Sequence, residues 1–334
     1  MSAAAPPLGV VDAHAHIVVG DLFAGDDALD PSFAELRDVT GRARLFAGGR
    51  ELTSVVGEFI DPARMAAEAA ASGVDHLLVS PWVQLLPMQL PALEARRRCE
   101  VQHAALARLV ASDPKRFSAV GAVPIDHPAE AVAVLSEACA AGLSGVELAA
   151  SAGNYLGDDA LEPFWAAAEE LGAILFVHPA TRGISLRALD DHYLWNTVGN
   201  PAETAIAGAR LVLAGVLERH PGLRVLLAHG GGALPAVCGR LAHGQRVVAA
   251  ARGRLREPLE SSIARLHFDT VTHDPSQLRR LVDDFGSDRV LLGSDRPFDM
   301  GDPDPVGTVR ALGLEPADEA AVLGTNAARL LRRT

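Results

Sequence analysis

The chain has 334 residues, of which 49% are apolar and 22% are charged, so it can bury a large core and shows no sign of bulk disorder. Its formal net charge of −12 argues against a nucleic-acid partner, because phosphate binding needs a concentrated basic surface. The three cysteines lack paired spacing, and neither a leader peptide nor a run of about 18 uncharged apolar residues stands out, so we expect a cytoplasmic protein without a membrane span.

Short runs rich in Val, Ile and Leu recur along the chain, each followed by a polar or glycine-bearing turn and an alanine-rich helical pattern. Apolar strands that alternate with helices are typical of parallel strands buried on both faces, and eight such units predict an α/β fold, the (β/α)8 (TIM) barrel. Because these barrels run to about 250 residues or more as one unit, we expect residues 1–334 to form a single domain. The eight runs are 8–16, 74–80, 117–124, 143–149, 173–179, 223–229, 266–271 and 289–295.

Local signals mark the ends of two of the intervening helices. Asp61 followed by proline predicts a helix that begins there and stops at Gly73, and the stretch 126–142 repeats this plan and ends at Gly142.

Two stretches do not fit the simple repeat. Residues 20–60 form a long insertion after the first strand, in which GDDALDP and GGRELTS are interpreted as loop, and residues 180–200 form another insertion after the fifth strand. In a barrel, the loops at the carboxyl ends of the strands build the active site. We therefore expect the insertion at 20–60 to act as a lid or a substrate loop.

The first predicted strand ends in DAHAHI, with His14 and His16 one residue apart. Side chains alternate faces along a strand, so the two imidazoles are expected to face the same spot. The pair is either two hydrogen-bonded histidines in a loop or half of a metal site.

Three more chemically active side chains lie at predicted strand ends: His178 after the fifth, His229 after the sixth and Asp295 after the eighth. Each alone could be a turn or helix-capping residue. Because the carboxyl ends of all strands meet at one rim, the set together predicts a metal site with an open position for water. Three imidazoles, one carboxylate and a water suit Zn²⁺, and Mn²⁺ or Fe²⁺ could be held instead. A histidine that is not a ligand could move a proton.

This constellation resembles the amidohydrolase superfamily. DAHAHI, FVHP, LAHGGG and LGSDRPF stand in the order of that superfamily's motifs over nearly the whole chain. Within its decarboxylase-rich branch, residues 153–165 and 200–232 and Trp195 are similar to the aminocarboxymuconate semialdehyde decarboxylase family. The resemblance implies one zinc ion held by His14, His16, His178 and Asp295, with His229 as the acid/base.

The same resemblance implies a homodimer and two arginines that hold a dicarboxylate substrate. Arg240 stands at the position that the neighbouring subunit would lend, although it could also be a solvated helix residue. Arg50 is our choice for the arginine of the first insertion, and Arg42 or Arg44 could serve instead. Guanidinium groups pair with carboxylates in a bidentate manner, which suits this role.

Three features depart from that family. Arg296 replaces an aromatic residue beside the metal aspartate, so we expect it to bind a further anion or to exclude the family's usual substrate. The insertion at 20–60 differs in length. Glu147 lies where relatives with two metals place a bridging group, and we interpret it as a supporting carboxylate beside a single metal.

Trp195 is expected to contact the substrate.

Together these features predict a metal-dependent, non-oxidative decarboxylase of a small unsaturated or aromatic acid or diacid. In one route metal-bound hydroxide adds to an unsaturated carbon of the substrate, and His229 accepts its proton. Collapse of this adduct then expels CO₂. In the other, the metal orients the substrate and a histidine or Asp295 protonates the carbon. The alternative function is a hydrolase of an amide, a lactone or a C–C bond, and a non-catalytic metal-binding protein is a third possibility.

Overall fold

The structure is a computed structural model that describes residues 8–18, 20–23, 34–39, 43–47, 50–51, 57–151, 156–180 and 183–332. Its strands are β1 (Val11–Ile17), β2 (Glu35–Asp38), β3 (Ala43–Ala47), β4 (Arg50–Glu51), β5 (His76–Pro81), β6 (Phe117–Ala119), β7 (Gly145–Ala149), β8 (Ile174–His178), β9 (Arg224–Leu227), β10 (His267–Asp269) and β11 (Val290–Leu291). Its helices are α1 (Gly57–Ile60), α2 (Pro62–Ala71), α3 (Ala92–Ser112), α4 (Pro128–Ala140), α5 (Glu162–Leu171), α6 (Asn200–Leu213), α7 (Val216–Arg219), α8 (Leu234–Val247), α9 (Leu259–Ile263), α10 (Pro275–Phe285), α11 (Pro305–Arg310), α12 (Pro316–Ala320) and α13 (Asn326–Leu330).

The parallel strands close into a ring. β1, β5 and β6 pair in that order, and β7 to β11 pair in chain order. The two sheets are joined by a bridge between Gly121 and Val146 and by a second one between Ala15 and Arg296. Pairing therefore passes once around eight strands, each of which overlaps one of the eight predicted runs, and the predicted (β/α)8 barrel is confirmed.

The barrel strands are apolar because both of their faces are covered. Every residue of β1, β5, β7 and β8 is buried. One apolar cluster, which includes Val11, Ala13, Phe176, Leu226 and Leu291, gathers side chains from β1, β8, β9 and β11. A second, larger cluster packs the strands against the helices. This packing supports the rim at which the polar strand ends meet.

The predicted helix ends agree with the structure. The Asp61 carboxylate accepts hydrogen bonds from the backbone N–H groups of Ala63 and Arg64, at 3.0 and 3.1 Å, and so caps α2. Gly73 and Gly142 follow α2 and α4 with φ of 81° and 92°, a left-handed conformation that stops a helix at low cost. Within the described ranges, no helix is long and apolar enough to cross a membrane.

The first insertion contains a small antiparallel sheet. β2 pairs with β3 and β3 with β4, so that Arg50 lies opposite Ala47. The interpretation of GGRELTS as loop is therefore wrong at Arg50 and Glu51, where pairing with β3 outweighs the local turn signal. The GDDALDP segment lies outside the described residues. In the second insertion, a π-helical turn at Trp195–Gly199 leads directly into α6.

Candidate active site

Four side chains from three strand ends meet at the carboxyl-terminal rim of the barrel. His14 and His16 belong to β1, His178 is the last residue of β8, and Asp295 follows β11. A nitrogen or oxygen atom of each lies within 4.8 Å of the corresponding atom of every other one. All four residues are buried. The structure thus brings together the four residues that were predicted as metal ligands.

The three histidines are oriented by hydrogen bonds on the ring nitrogen that faces away from the cluster. Each Nδ1 meets a carboxylate or carbonyl oxygen that accepts, and that of His16 also lies 3.0 Å from Ser80 Oγ, whose hydroxyl can donate to the Pro81 carbonyl at 3.3 Å. Each Nδ1 therefore carries a proton, and each Nε2 is the nitrogen turned toward the cluster. The three bonds are His14 Nδ1 to Asp269 Oδ2 at 2.6 Å, His16 Nδ1 to the Pro81 carbonyl at 3.2 Å, and His178 Nδ1 to the Pro179 carbonyl at 3.0 Å.

The inward-facing nitrogen and oxygen atoms of the cluster lie close together. Nε2 of His14 lies 3.0 Å from Nε2 of His16, and Asp295 Oδ1 lies 3.2 and 3.3 Å from these two atoms. Nε2 of His178 is buried and has no hydrogen-bond partner in the described part of the chain. Such a group of acceptors needs a positive charge at its centre, and three imidazoles with one carboxylate fit a divalent cation such as Zn²⁺.

The electrostatics of the cluster point the same way. Burial lowers the pKa of His14, but the carboxylates of Asp295 and Asp269 more than offset this and raise it to about 10. Burial would likewise raise the pKa of Asp295, yet His14 beside it holds that pKa well below 3.8. Burial lowers the pKa of His178 well below 6.5 and keeps the ring neutral. A proton on His14 and a cation would therefore compete for the same position.

His229 lies beside the cluster without belonging to it. Its Nε2 is 3.3 Å from Asp295 Oδ2, and its ring centre is 5.1 Å from those of His14 and His178. Its Nδ1 has no hydrogen-bond partner among the residues that the structure describes, and its side chain is 17% exposed toward the cavity that it lines. An imidazole in this position can exchange a proton with a bound molecule.

Asp269, at the end of β10, is a site residue that sequence reasoning missed. Its carboxylate accepts the His14 bond and three backbone N–H groups, those of His229 at 2.8 Å, Gly230 at 2.8 Å and Val271 at 3.0 Å. Asp269 therefore holds both the ligand His14 and the loop that carries His229. The available signal was its place, because Asp269 lies near the end of the seventh predicted run, 266–271, as the other site residues lie near the ends of theirs.

A cavity of about 1560 Å³ opens above these groups, and His178, His229 and Asp295 form part of its lining. Aromatic side chains make much of its wall: Phe59, Trp82, Tyr193, Trp195 and Phe298. The Phe298 ring centre lies 5.2 Å from that of His16, and Trp195 packs edge-on against Tyr193 at 4.8 Å. Such walls suit a flat, conjugated molecule.

Of the arginines predicted to hold a dicarboxylate, the structure describes the side chains of Arg240 and Arg44, and neither is among the described residues that line the cavity. Arg240 is exposed on α8 and is not among the described residues that line the cavity. Arg44 pairs with Glu51, which does line it. Of Arg50 the structure describes only the backbone, in β4, and Arg42 lies outside the described residues.

Arg296, which was predicted to contact the substrate, meets Ser72 and Asp12 in this structure. Its guanidinium Nη2 donates to Ser72 Oγ at 3.0 Å, and its Nε lies 3.8 Å from the buried carboxylate of Asp12. It is absent from the described lining of the cavity. A mostly buried guanidinium needs an anionic partner, and the Asp12 carboxylate lies next to it.

Glu147 lies beside the cluster on β7. Its Oε1 is 3.9 Å from His178 Nδ1, and the residue is completely buried. Burial raises the pKa of its carboxyl well above 4.5, which favours the uncharged form. A neutral carboxyl in this position suits a group that supports the metal ligands. Asp295 then remains the one charged carboxylate of the four-residue cluster.

The profile of the family described as amidohydrolase matches residues 11–333. The chain therefore belongs to the amidohydrolase family. It is 32% identical over 231 residues to the 2-amino-3-carboxymuconate-6-semialdehyde decarboxylase of Dictyostelium discoideum, a match that covers 68% of this chain and 64% of the relative, which is less than two thirds of its length. It is 27% identical over 285 residues to the gamma-resorcylate decarboxylase of a Rhizobium species, covering 78% of this chain and 84% of the relative.

Among solved structures, the chain is similar to the 5-carboxyvanillate decarboxylase of Sphingomonas paucimobilis. The TM-score is 0.81 with 24% identity, and the match covers 98% of this chain and 100% of that one. This likeness establishes the fold along nearly the entire chain.

Proposed function

We propose that the chain is a metal-dependent decarboxylase that releases CO₂ without oxidation from a small unsaturated or aromatic acid or diacid. The observation that carries this proposal is the convergence of His14, His16, His178 and Asp295 beside His229 in an aromatic-walled cavity. The names of the relatives support it, because both relatives and the structural neighbour described above are decarboxylases.

We propose one divalent cation as the cofactor, held by His14, His16, His178 and Asp295. Zn²⁺ is our first choice because three imidazoles and a carboxylate are typical of its catalytic sites, and Mn²⁺ or Fe²⁺ are the alternatives because imidazole binds all three. When bound, the cation would polarise an oxygen of the substrate or of water and stabilise negative charge.

The protein's own side chains supply the proton and hold the substrate in position. Loss of CO₂ breaks a C–C bond and leaves its electron pair on the substrate, so the substrate needs a conjugated system to accept that pair. Trp82 and Phe298 offer faces against which a flat molecule packs and from which water is excluded. His229 then delivers a proton to the carbon, or first takes one from the attacking water, and Asp295 is the second candidate donor.

We further propose that residues 1–334 act as one domain, with the segment 20–60 as a lid or substrate loop, in a cytoplasmic homodimer. In this dimer Arg240 of one subunit reaches the cavity of the other and works with Arg50. Its exposure on α8 supports this arrangement. Exposed apolar side chains nearby, at the end of α8 and on α6, also suit an interface: Val247, Val248 and Ile206.

The test combines metal analysis of the purified protein with CO₂ release from a panel of carboxymuconate-like and hydroxybenzoate-like acids. We expect one divalent metal per chain, CO₂ from at least one acid, loss of this activity on chelation and its return with added metal. Turnover of amides or lactones without CO₂ from any acid would instead favour the hydrolase.

A second experiment tests the dicarboxylate clamp. Arg240→Ala should raise KM for a diacid substrate, while Arg246→Ala on the same helix, whose exposed side chain faces Glu260 at 3.7 Å, should not. Unchanged kinetics in Arg240→Ala, or a fully active monomer in sedimentation, would contradict the lent arginine.

A further inference from the structure

Glu203 is a buried carboxylate for which the mechanism above has no use. It lies in the first turn of α6 and is 1% exposed. Its Oε1 accepts a hydrogen bond from the backbone N–H of Ala180 at 2.8 Å, two residues after His178. A carboxylate is expensive to bury, so its place against this particular backbone segment calls for a physical reason.

The N–H of Ala180 belongs to the same peptide group as the carbonyl of Pro179. That carbonyl accepts the hydrogen bond of His178 Nδ1 at 3.0 Å. A trans peptide group is planar and points its N–H and its C=O in opposite directions, so fixing one fixes the other. One peptide therefore carries the Glu203 carboxylate at one end and the His178 imidazole at the other.

The turn after β8 is built closely around this carboxylate. The N–H of Gly183 donates to the Ala180 carbonyl at 2.9 Å. A Cβ at Gly183 would lie 2.1 Å from Glu203 Oε2, so only glycine allows the backbone to approach so near. The close fit holds the carboxylate and the Pro179–Ala180 peptide in one relative position.

His178 differs from His14 in how it is supported. The His14 ring is held directly by the carboxylate of Asp269 at 2.6 Å, whereas the hydrogen bond that the His178 ring makes within the described part of the chain goes to the carbonyl of the next residue. A carbonyl at the start of a loop orients a ring only if that loop is itself fixed. Hydrogen bonds in series also strengthen one another, so a carboxyl oxygen that accepts from the N–H makes the C=O a better acceptor.

We propose that Glu203 is a positioning residue for His178 that acts through the Pro179–Ala180 peptide. It fixes the direction of the Pro179 carbonyl, and thereby the proton on Nδ1 and the aim of the Nε2 lone pair into the cluster. This inference rests on the proposed function, since it requires His178 to be a metal ligand.

The test compares two substitutions of similar volume. Glu203→Gln retains a side-chain carbonyl that can accept from Ala180, and Glu203→Met cannot accept. Thr204→Ala is the matched control, because Thr204 is buried on the same helix and its hydroxyl donates only within it, to the Asn200 carbonyl at 3.2 Å. The readouts are the dissociation constant for Zn²⁺, by competition with a chromophoric chelator, and the visible spectrum of the Co²⁺-loaded protein.

We expect Glu203→Met to weaken Zn²⁺ binding by about 10-fold or more and to alter the Co²⁺ spectrum. Glu203→Gln should restore most of both, and Thr204→Ala should change neither. Wild-type affinity and spectrum in Glu203→Met would overturn the inference. If that variant does not fold, Gly183→Ala, which displaces the carboxylate, replaces it with the same expected and contrary results. Failure of the wild-type chain to bind any divalent cation would contradict the proposed function instead.

Discussion

At the residue scale, buried carboxylates of the same barrel take different charges according to what they face. Asp295 meets the imidazoles of His14, His16 and His229, and His14 keeps the Asp295 pKa well below 3.8 against the effect of burial. Glu147, where burial dominates, has a pKa well above 4.5, and burial also raises the pKa of Asp12. Separating the charges of neighbouring carboxyl groups is how proteins assign them different roles. The cluster therefore offers a cation one negative group.

Replacement of His229 separates proton transfer from metal binding. We expect His229→Asn to lower kcat by about 100- to 10,000-fold, because the ring is the nearest proton carrier outside the cluster. Metal content should remain that of the wild type, since His229 is not one of the four clustered residues. Metal analysis and CO₂ release on the same sample measure both, and full activity of the variant would contradict the assigned role.

Replacement of Asp269, unlike that of His229, should weaken metal binding. Asp269→Asn removes the charge that holds the proton on Nδ1 of His14, so we expect metal affinity to fall by about 10- to 100-fold. Asp274→Asn is the control, because its exposed carboxylate caps α10 through the Ser276 N–H, outside the cluster. Competition with a chelator measures the affinity, and equal values for the two variants would contradict the role of Asp269.

At the scale of elements, the barrel depends on short contacts where its two sheets meet. β6 has only three residues, and the ring continues to β7 through the bridge between Gly121 and Val146. His103 of α3 fastens the helix at this point, with Nε2 2.8 Å from the Ala122 carbonyl. A Cβ on Gly121 would lie 2.4 Å from that nitrogen, so glycine allows the ring to sit against the junction.

This buried histidine predicts a pH dependence of stability. Burial lowers the pKa of His103 from 6.5 to about 4, so between these values the unfolded chain binds a proton that the folded chain does not. The contribution of His103 to the free energy of unfolding is complete above pH 6.5 and is lost as the pH falls toward 4. The total loss is about 3 kcal/mol.

Urea unfolding at pH 7 and pH 5 measures this loss. His103→Gln keeps a donor for the Ala122 carbonyl but cannot titrate, so its stability should fall less between the two pH values than that of the wild type. His243→Gln, at an exposed position on α8, should behave as the wild type does. The prediction would be contradicted if the stability of His103→Gln fell as much between pH 7 and pH 5 as that of the wild type.

At the scale of the whole molecule, the cluster ties together parts of the barrel that are far apart in the chain. Its residues come from β1, from β8 and from the segment after β11, which itself pairs with β1 through Ala15 and Arg296. A cation held by all of them binds the folded chain and not the unfolded one, so it must stabilise the fold.

Chelation should therefore lower the melting temperature as well as abolish turnover. At a free metal concentration about 1,000 times the dissociation constant, the stabilisation amounts to about 4 kcal/mol. Differential scanning calorimetry with and without metal measures it. His178→Ala should melt at a temperature that depends much less on metal, and an identical response of variant and wild type would contradict binding at this cluster.

Much of this organisation can be predicted from short stretches of the sequence. The eight apolar runs, the Asp61 cap and the glycines after α2 and α4 are visible in the sequence because burial periodicity and backbone preference act over a few residues. The five strand-end groups were predicted for a related reason, since a barrel brings all carboxyl ends to one rim once its strands are counted.

Only the tertiary structure decided which partner each side chain meets. Asp269 could be recognised as the support of His14 only when β10 and β1 were seen to meet, 255 residues apart in the chain. Arg296 turns to Asp12, and Arg50 and Glu51 join a strand, because contacts distant in sequence outweigh local preference. By itself the sequence determined the barrel and the residues of its rim, through patterns repeated every few residues. The aim of each rim side chain was decided by hydrogen bonds between segments that only folding brings together.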